Sequence, residues 1–542
     1  MKRIFCLLVA LAVLFSCSKD DSSSVTDPLA NRTDQIVGTI KYDDGSPAAG
    51  IAVSDGTTVV ATAADGSFEL KKASNAKFIY YSLPADAKVP QDANGLPKIY
   101  RNISTSIKSY DFTLTRQEKE SAFRVLMLGD IQVTKDAHIT RFKNESVKDI
   151  KSFLSSKNSD MPTYAIHLGD ITENEWDMIP TIAAEIASSK LSGLPVFNVI
   201  GNHDHEFPSD SEDKSRACRA KYEAMFGPCN YSFERGDVHF LVLDDIIHTA
   251  QASPQYDEGF DDEAYNFAKN DLALADKSKA VVLCIHAPMK NSFSNNKYFG
   301  GTHYYSEMLQ LLSQFEKALI VCGHSHVVRN DYAYTVNGKS IREYECGAIH
   351  GACWTGNIGS DGAYNGYGVF EFDGAALTSQ LQKSVCFPES MQMRIYRCAD
   401  IPPFTYSATH SRDGYWTKEF KWGLTNPDNS AIFNIFNYRK GWSIDVYEDG
   451  VQTVSGYEWG DDVSVSRVGK RGLTDLWAKY WFYDVNKLTY SGYSGATNHM
   501  FWYKMVDPSS TNLRVVVHDE YGRTFENSFL STLTSDRTCE VY

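Results

Sequence analysis

Positive charge is scarce in this chain and nowhere bunched. Its 542 residues carry 53 Lys and Arg against 68 Asp and Glu, a formal net charge of −15 at pH 7. Without a Lys/Arg-rich block it lacks the electrostatic footprint of a nucleic-acid binder, so no nucleic-acid partner is expected. Anionic lipid headgroups are repelled too, unless bound cations or a local pocket compensate. Long apolar runs are missing beyond the first residues, and none reaches the roughly 20 residues of a spanning helix. Cysteine is modest at eleven, with no Cys-x-x-Cys pair to announce a thiolate zinc site.

What is present begins at the N-terminus. Lys2 and Arg3 form a basic start and Ile4 to Phe15 an apolar stretch, the pattern of an export signal. Leu14-Phe15-Ser16-Cys17 resembles a bacterial lipobox, although Phe15 stands where a small residue is usual. We therefore expect a signal peptide over 1–16 and an outer-membrane lipid anchor on Cys17, with the protein at the cell surface or otherwise periplasmic. Loss of Lys2 and Arg3 takes the formal charge from −15 to −17. Residues 17–34 are Ser- and Asp-rich and read as a flexible tether. Setting aside Cys6 and Cys17 leaves nine cysteines, among which Cys218 and Cys229 bracket a short segment and can pair in an oxidising compartment. Cys284 and Cys322 lie in apolar runs and read as buried thiols.

Three folded regions follow. Over 35–115, short alternating strands are broken by Asp44-Gly45, Asp55-Gly56 and Asp65-Gly66, the pattern of a small β-sandwich. It resembles the transthyretin-like or carboxypeptidase-regulatory type of domain. Over 122–373, apolar runs alternate with amphipathic stretches, an α/β signature. From 383 to 542 the chain turns β-like and aromatic, a second sandwich with seven of the nine tryptophans, among them Trp416, Trp422, Trp442 and Trp477. Such a face can stack on sugars, but core packing is the commoner use.

The polar residues that follow each apolar run of the middle region form a set. Asp130 and Gln132 follow Val125–Leu128, Asp170 follows Tyr164–Leu168, and Asn202-His203-Asp204 follows Val196–Ile200. His286 follows Val281–Ile285, and His324 and His326 follow Leu319–Val321. In an open α/β arrangement the carboxyl ends of such strands converge where ligands bind. Carboxylate and amide oxygens mixed with imidazoles suit Mn²⁺, Fe²⁺ or Zn²⁺, and this many donors suit two ions. Further candidates are His350, Trp354, Asp361 and Asn365 in the Gly-rich segment 347–368, and Lys290, His303 and Tyr304 after His286.

Gly129-Asp130-Ile131-Gln132, Gly169-Asp170, Gly201-Asn202-His203-Asp204, a lone His286 and Gly323-His324-Ser325-His326 together resemble the calcineurin-like metallophosphoesterase superfamily. With its N- and C-terminal accessory regions the chain is similar to a bacterial lipoprotein subgroup of it. The resemblance implies a central β-sandwich flanked by helices, between two all-β sandwich domains. It implies that Asp130, Gln132, Asp170 and His326 hold one divalent ion, with Asp170 bridging to a second held by Asn202, His286 and His324. His203 would then be a proton donor near the scissile phosphorus, with Asp204 behind it. Gln132 departs from the family's usual histidine, and a neutral amide oxygen is the weaker ligand. The purple acid phosphatase branch has a tyrosine shortly after its second motif, whereas Asp170 is followed by Ile171-Thr172-Glu173.

The activity so implied is phosphoester hydrolysis, in which two cations lower the pKa of a water that attacks phosphorus. The substrate would be a small-molecule, glycan-linked or lipid-linked phosphoester. Few basic residues near the motifs favour a diester slightly over a dianionic monoester. The alternative is a non-catalytic phosphate- or glycan-binding surface lipoprotein. The sequence leaves the oligomeric state open.

Overall fold

The computed structural model describes residues 34–157, 161–207, 217–249, 255–290, 303–410, 414–420, 427–462, 467–470, 475–485 and 499–528. The expected signal peptide, Cys17 and nearly all of the tether lie outside them.

Two mixed sheets form the middle of the molecule. One has the strand order 196–199, 163–168, 122–128, 366–373, 376–384, and its first three strands are parallel. The other runs 231–235, 238–242, 280–284, 317–322, 339–345, 329–336, with the four inner strands parallel. Ala122–Leu128 shows how the sequence builds this. Phe123, Val125 and Met127 point into the core shared by the sheets, packing with Phe240 and Val282. Leu126 and Leu128 face the other way, against Ile139, Phe142, Ile150 and Ile182 of the flanking helical segments. A strand buried on both faces reads as a continuous apolar run, which is why it is conspicuous in the sequence. The helices Asp262–Leu274 and Tyr305–Leu312 bury Phe267, Leu272, Met308 and Leu312 in the shared core. The expected helix-flanked central sandwich is therefore observed. Its first sheet runs past residue 373, because Ala376–Ser384 pairs antiparallel with Gly366–Asp373.

The N-terminal region is a small sandwich of a three-stranded and a four-stranded sheet. It is not a loose spacer. Tyr80 Oη donates to the Asn230 carbonyl at 2.7 Å, and the buried Arg235 donates to the Ala87 carbonyl at 3.0 Å.

The C-terminal region packs two four-stranded sheets around Trp442, Phe433, Phe501 and Tyr503. Trp442 and Trp477 are fully buried, so these two serve packing rather than sugar stacking. This region also grips the segment that follows the Gly-His-Ser-His motif. Asp361 Oδ2 accepts the Val328 N–H at 2.8 Å and lies 3.2 Å from His499 Nε2. His499 Nδ1 meets Asn434 Oδ1 at 2.7 Å, and Asn434 Nδ2 donates to the Asp361 carbonyl and to Asp475. A fully paired buried network of this kind fixes one arrangement of its parts. Among the described residues no helix is long and apolar enough to cross a membrane.

The thiols differ from expectation. Cys218 and Cys229 are both buried and are not joined by a disulfide, while Cys386 is disulfide-bonded. Cys284 and Cys322 are buried free thiols, as their apolar surroundings imply.

Candidate metal centre

All seven expected ligands come together at the carboxyl ends of three parallel strands of one sheet and two parallel strands of the other. Asp170, His286 and His324 each offer a ligand atom, and these atoms lie within 4.8 Å of one another; so do those of Asp130, Asp170 and His326. Asp170 belongs to both groups. Asn202 joins the first, with Oδ1 2.9 Å from His286 Nε2. Gln132 joins the second, its Nε2 3.5 Å from Asp170 Oδ2.

The backbone is bent to achieve this. Asp130, Gln132, Asp170, His324 and His326 all have positive φ, between 32° and 71°. Left-handed non-glycine residues cost about 1–3 kcal/mol each and persist where the surroundings over-determine them. The preceding glycines make room. A Cβ on Gly201 would stand 2.2 Å from both the Asp170 amide nitrogen and its Oδ1, and one on Gly169 would stand 2.4 Å from His286 Nδ1.

The donor set fits cations. Gln132 Oε1 and His326 Nε2 are buried and have no hydrogen-bond partner among the described residues. Burial would lower the pKa of His286, yet Asp170 and Asp130 raise it to about 10. Burial would likewise raise Asp170, but His286, His203 and His324 hold it well below the usual carboxylate range. Two wholly buried carboxylates thus draw positive charge into the cluster, and divalent ions supply it by displacing imidazole protons.

Neighbouring groups aim the ligands. His286 Nδ1 meets the Leu168 carbonyl at 2.7 Å, which leaves Nε2 as the ligand atom of the neutral ring. Asp245 accepts the backbone N–H groups of His286 and Ala287 at 3.0 and 2.9 Å. His324 Nδ1 faces His286 Nε2 at 3.1 Å while its Nε2 lies 3.2 Å from Glu258 Oε1. Such a carboxylate fixes the ring and raises its basicity, and losing one typically costs about 10–100-fold in metal affinity. Glu258→Gln should weaken binding at the Asn202–His286–His324 side by about that factor, read by metal titration. Sequence reasoning missed Asp245 and Glu258. Asp245 follows an apolar strand as the other site residues do, and that signal could have found it.

One expected role is corrected. Asp204 does not stand behind His203. Its Oδ1 accepts the N–H groups of Ile171 and Thr172 at 2.8 and 3.2 Å, and its Oδ2 accepts that of Gly201 at 3.0 Å. Burial and the charge of Asp170 push its pKa up to about 7. It ties the Asp170 loop to the Asn202 loop. His203 itself is at the cluster: its backbone N–H donates to Asp170 Oδ1 at 2.9 Å. Its Nδ1 is buried without a partner among the described residues.

The further candidates divide. His350 packs on His326, with ring centroids 4.5 Å apart. Trp354 Nε1 donates to the Ile131 carbonyl at 2.9 Å, Asn365 holds the Ile349 carbonyl, and Asp361 holds Val328. Lys290 lies over the Tyr332 ring, His303 faces Asp257 at 3.8 Å, and Tyr304 donates to Asp262, so none of the three joins either donor group.

Comparison with known proteins agrees with this geometry. Residues 123–328 match the family profile described as calcineurin-like phosphoesterase. Residues 34–117 and 343–525 match the profiles of the N-terminal and C-terminal parts of the same family. The chain belongs to the calcineurin-like phosphoesterase family. This is a family of metal-dependent phosphoester hydrolases, and the two donor groups of this chain are suited to holding metal. No curated protein matches it significantly. Among solved structures it is similar to a purple acid phosphatase from yellow lupin, at 14% identity and TM-score 0.34. That match covers 63% of this chain and 66% of the lupin protein, just under two thirds. A dimetal phosphatase from Danio rerio is similar at 12% identity and TM-score 0.32, over 49% of this chain and 96% of the other. A 5'-nucleotidase precursor from Thermus thermophilus follows at 13% and 0.28, over 48% and 54%.

Proposed function

We propose that this phosphoesterase hydrolyses phosphodiesters in preference to monoesters, at a two-metal centre held by Asp130, Gln132, Asp170, Asn202, His286, His324 and His326. The observation that carries the two-metal reading is Asp170, the one residue common to both donor groups. Two bound divalent cations, Mn²⁺, Fe²⁺ or Zn²⁺ from the donor chemistry, supply a nucleophilic water near neutral pH and neutralise phosphoryl charge. The protein's own part is placement. Asp170 anchors the His203 backbone, Asp204 locks the two loops together, and the His203 ring gives its proton to the alcohol oxygen as the phosphorus–oxygen bond breaks.

The diester preference rests on charge. Arg219, which reaches the Asn202 loop through Asp244, is paired with Asp244 and Asp261. Arg329, beside Ser325, is paired with Glu345. Both guanidinium groups are thereby spent on carboxylates, which suits a singly charged ester better than a dianion. Purified protein assayed with Mn²⁺, Zn²⁺ and Fe²⁺ should show a higher kcat/KM on bis(p-nitrophenyl) phosphate than on p-nitrophenyl phosphate; the reverse order would remove the preference.

Gln132 gives a second check. A histidine there replaces an amide oxygen by a stronger ligand, so Gln132→His should tighten the Asp130–His326 ion on the order of tenfold, or 1.4 kcal/mol. An unchanged metal titration would show that Gln132 is not a ligand.

We place the enzyme on the outer membrane, exposed at the surface and anchored through Cys17, a reading supported by the sequence of residues 1–17. A Cys17→Ser variant should leave the membrane fraction for the soluble one.

A further inference from the structure

His350 has no part in the chemistry above, yet it is held as firmly as the ligands. It is wholly buried in the turn that follows the strand 339–345, and its ring stands edge-on to that of His326 at 86°. That turn is fixed to the loop carrying Asp130 and Gln132: the Ile349 N–H donates to the Gly129 carbonyl at 3.0 Å, and Trp354 Nε1 to that of Ile131 at 2.9 Å. Cys353 and Trp354 both have positive φ, at 48° and 59°. Strain of this order is kept where the geometry it enforces has a use.

The hydrogen bonds of the ring define what it can do. His350 Nδ1 accepts the Cys353 N–H at 2.9 Å, so that nitrogen carries a lone pair and the ring proton sits on Nε2. A protonated nitrogen is no metal ligand. His350 is therefore not a stand-in for the family histidine that Gln132 replaces. It is a neutral N–H donor, and Nε2 is buried with no partner among the described residues. Leaving a buried donor unpaired costs about 1–3 kcal/mol.

We propose that His350 Nε2–H donates to a phosphoryl oxygen of the substrate on the Asp130–His326 side of the centre. This rests on the phosphoester reading above. A neutral donor is the appropriate group where the neighbouring arginines are already paired and the ester carries a single charge. It stabilises the charge that grows on that oxygen without adding a cation beside the metals.

The test uses the metal-loaded full chain and three variants. His350→Asn keeps a short acceptor for the Cys353 N–H and removes the distal donor; His350→Phe keeps the ring volume; His350→Gln restores an N–H at longer reach. Asn and Phe should each keep two metal ions per chain and the parent melting temperature. They should bind inorganic phosphate about tenfold more weakly by calorimetry and lose about 10²-fold in kcat on bis(p-nitrophenyl) phosphate, the scale of one oxyanion donor. Gln should recover part of both. Unchanged phosphate affinity in Asn and Phe would overturn the proposal, since a donor to water alone leaves that affinity untouched. Loss of a metal ion in both would overturn it equally, by making His350 part of the metal site. If the parent hydrolyses no ester, the phosphoester reading fails, while phosphate titration of the same variants still decides whether His350 meets an oxyanion.

Discussion

An Asp170→Asn enzyme should hold at most one divalent ion per chain and hydrolyse aryl phosphate esters at least about 10³-fold more slowly than its parent. The size follows from what the carboxylate does at once. Its Oδ2 lies 3.3 Å from His286 Nε2, its Oδ1 accepts the His203 N–H, and it alone joins the two donor groups. An amide of the same shape removes one negative charge from between two cations, and its NH₂ end must face either a cation or the His203 N–H. Losing several kcal/mol of charge stabilisation at such a site corresponds to about three powers of ten, at 1.36 kcal/mol each. Elemental analysis of the purified variant reads the metal, and thermal melts separate this result from simple misfolding. Added metal at 100 times its Kd should stabilise the parent by about 2.7 kcal/mol per site. It should do so far less for the variant, whose metal-free melt should stay cooperative. Wild-type turnover, or two retained ions, would remove the bridging role.

The seven candidate ligands stood out in the sequence because each sits within a few residues of a buried strand, where an apolar run gives way to a polar residue, through a glycine in every case but His286. Strand direction then does the rest, since parallel neighbours deliver their ends to one edge. The role of Asp204 was misread for a geometric reason. Asn202–Asp204 is a 3₁₀ turn with three residues to the turn, so successive side chains diverge by about a third of a revolution. Adjacency to His203 in sequence therefore argues against contact, and the carboxylate finds three backbone N–H groups instead. Glu258 was hidden because it reaches His324 from the strand Tyr256–Glu258, and no spacing near Glu258 announces a ligand. His350 was visible only as a guess in a Gly-rich loop; its pairing with His326 needs the fold. The strand Ala376–Ser384 was not conspicuous because it is a sheet edge with polar residues such as Gln380 and Gln382, buried by the C-terminal region rather than by apolar patterning.

His203→Ala should cost about 10²–10⁴ in kcat while leaving both metal ions in place, the range expected for a positioned proton donor. The structure separates the two readouts. The imidazole is in neither donor group, whereas the backbone N–H that holds Asp170 and the carbonyl that accepts from Trp176 Nε1 survive any side-chain replacement. The deficit should depend on the leaving group. A nitrophenolate leaves readily without a proton, so the variant should come close to the parent on bis(p-nitrophenyl) phosphate; an alkyl ester needs its oxygen protonated as the bond breaks, and there the full loss should appear. A uniform loss across leaving groups would mean that His203 acts on phosphoryl charge rather than on the departing oxygen. A fall in bound metal would instead place its ring among the ligands, beside Asp170, and the proton donor would have to be sought elsewhere on the rim of the cluster.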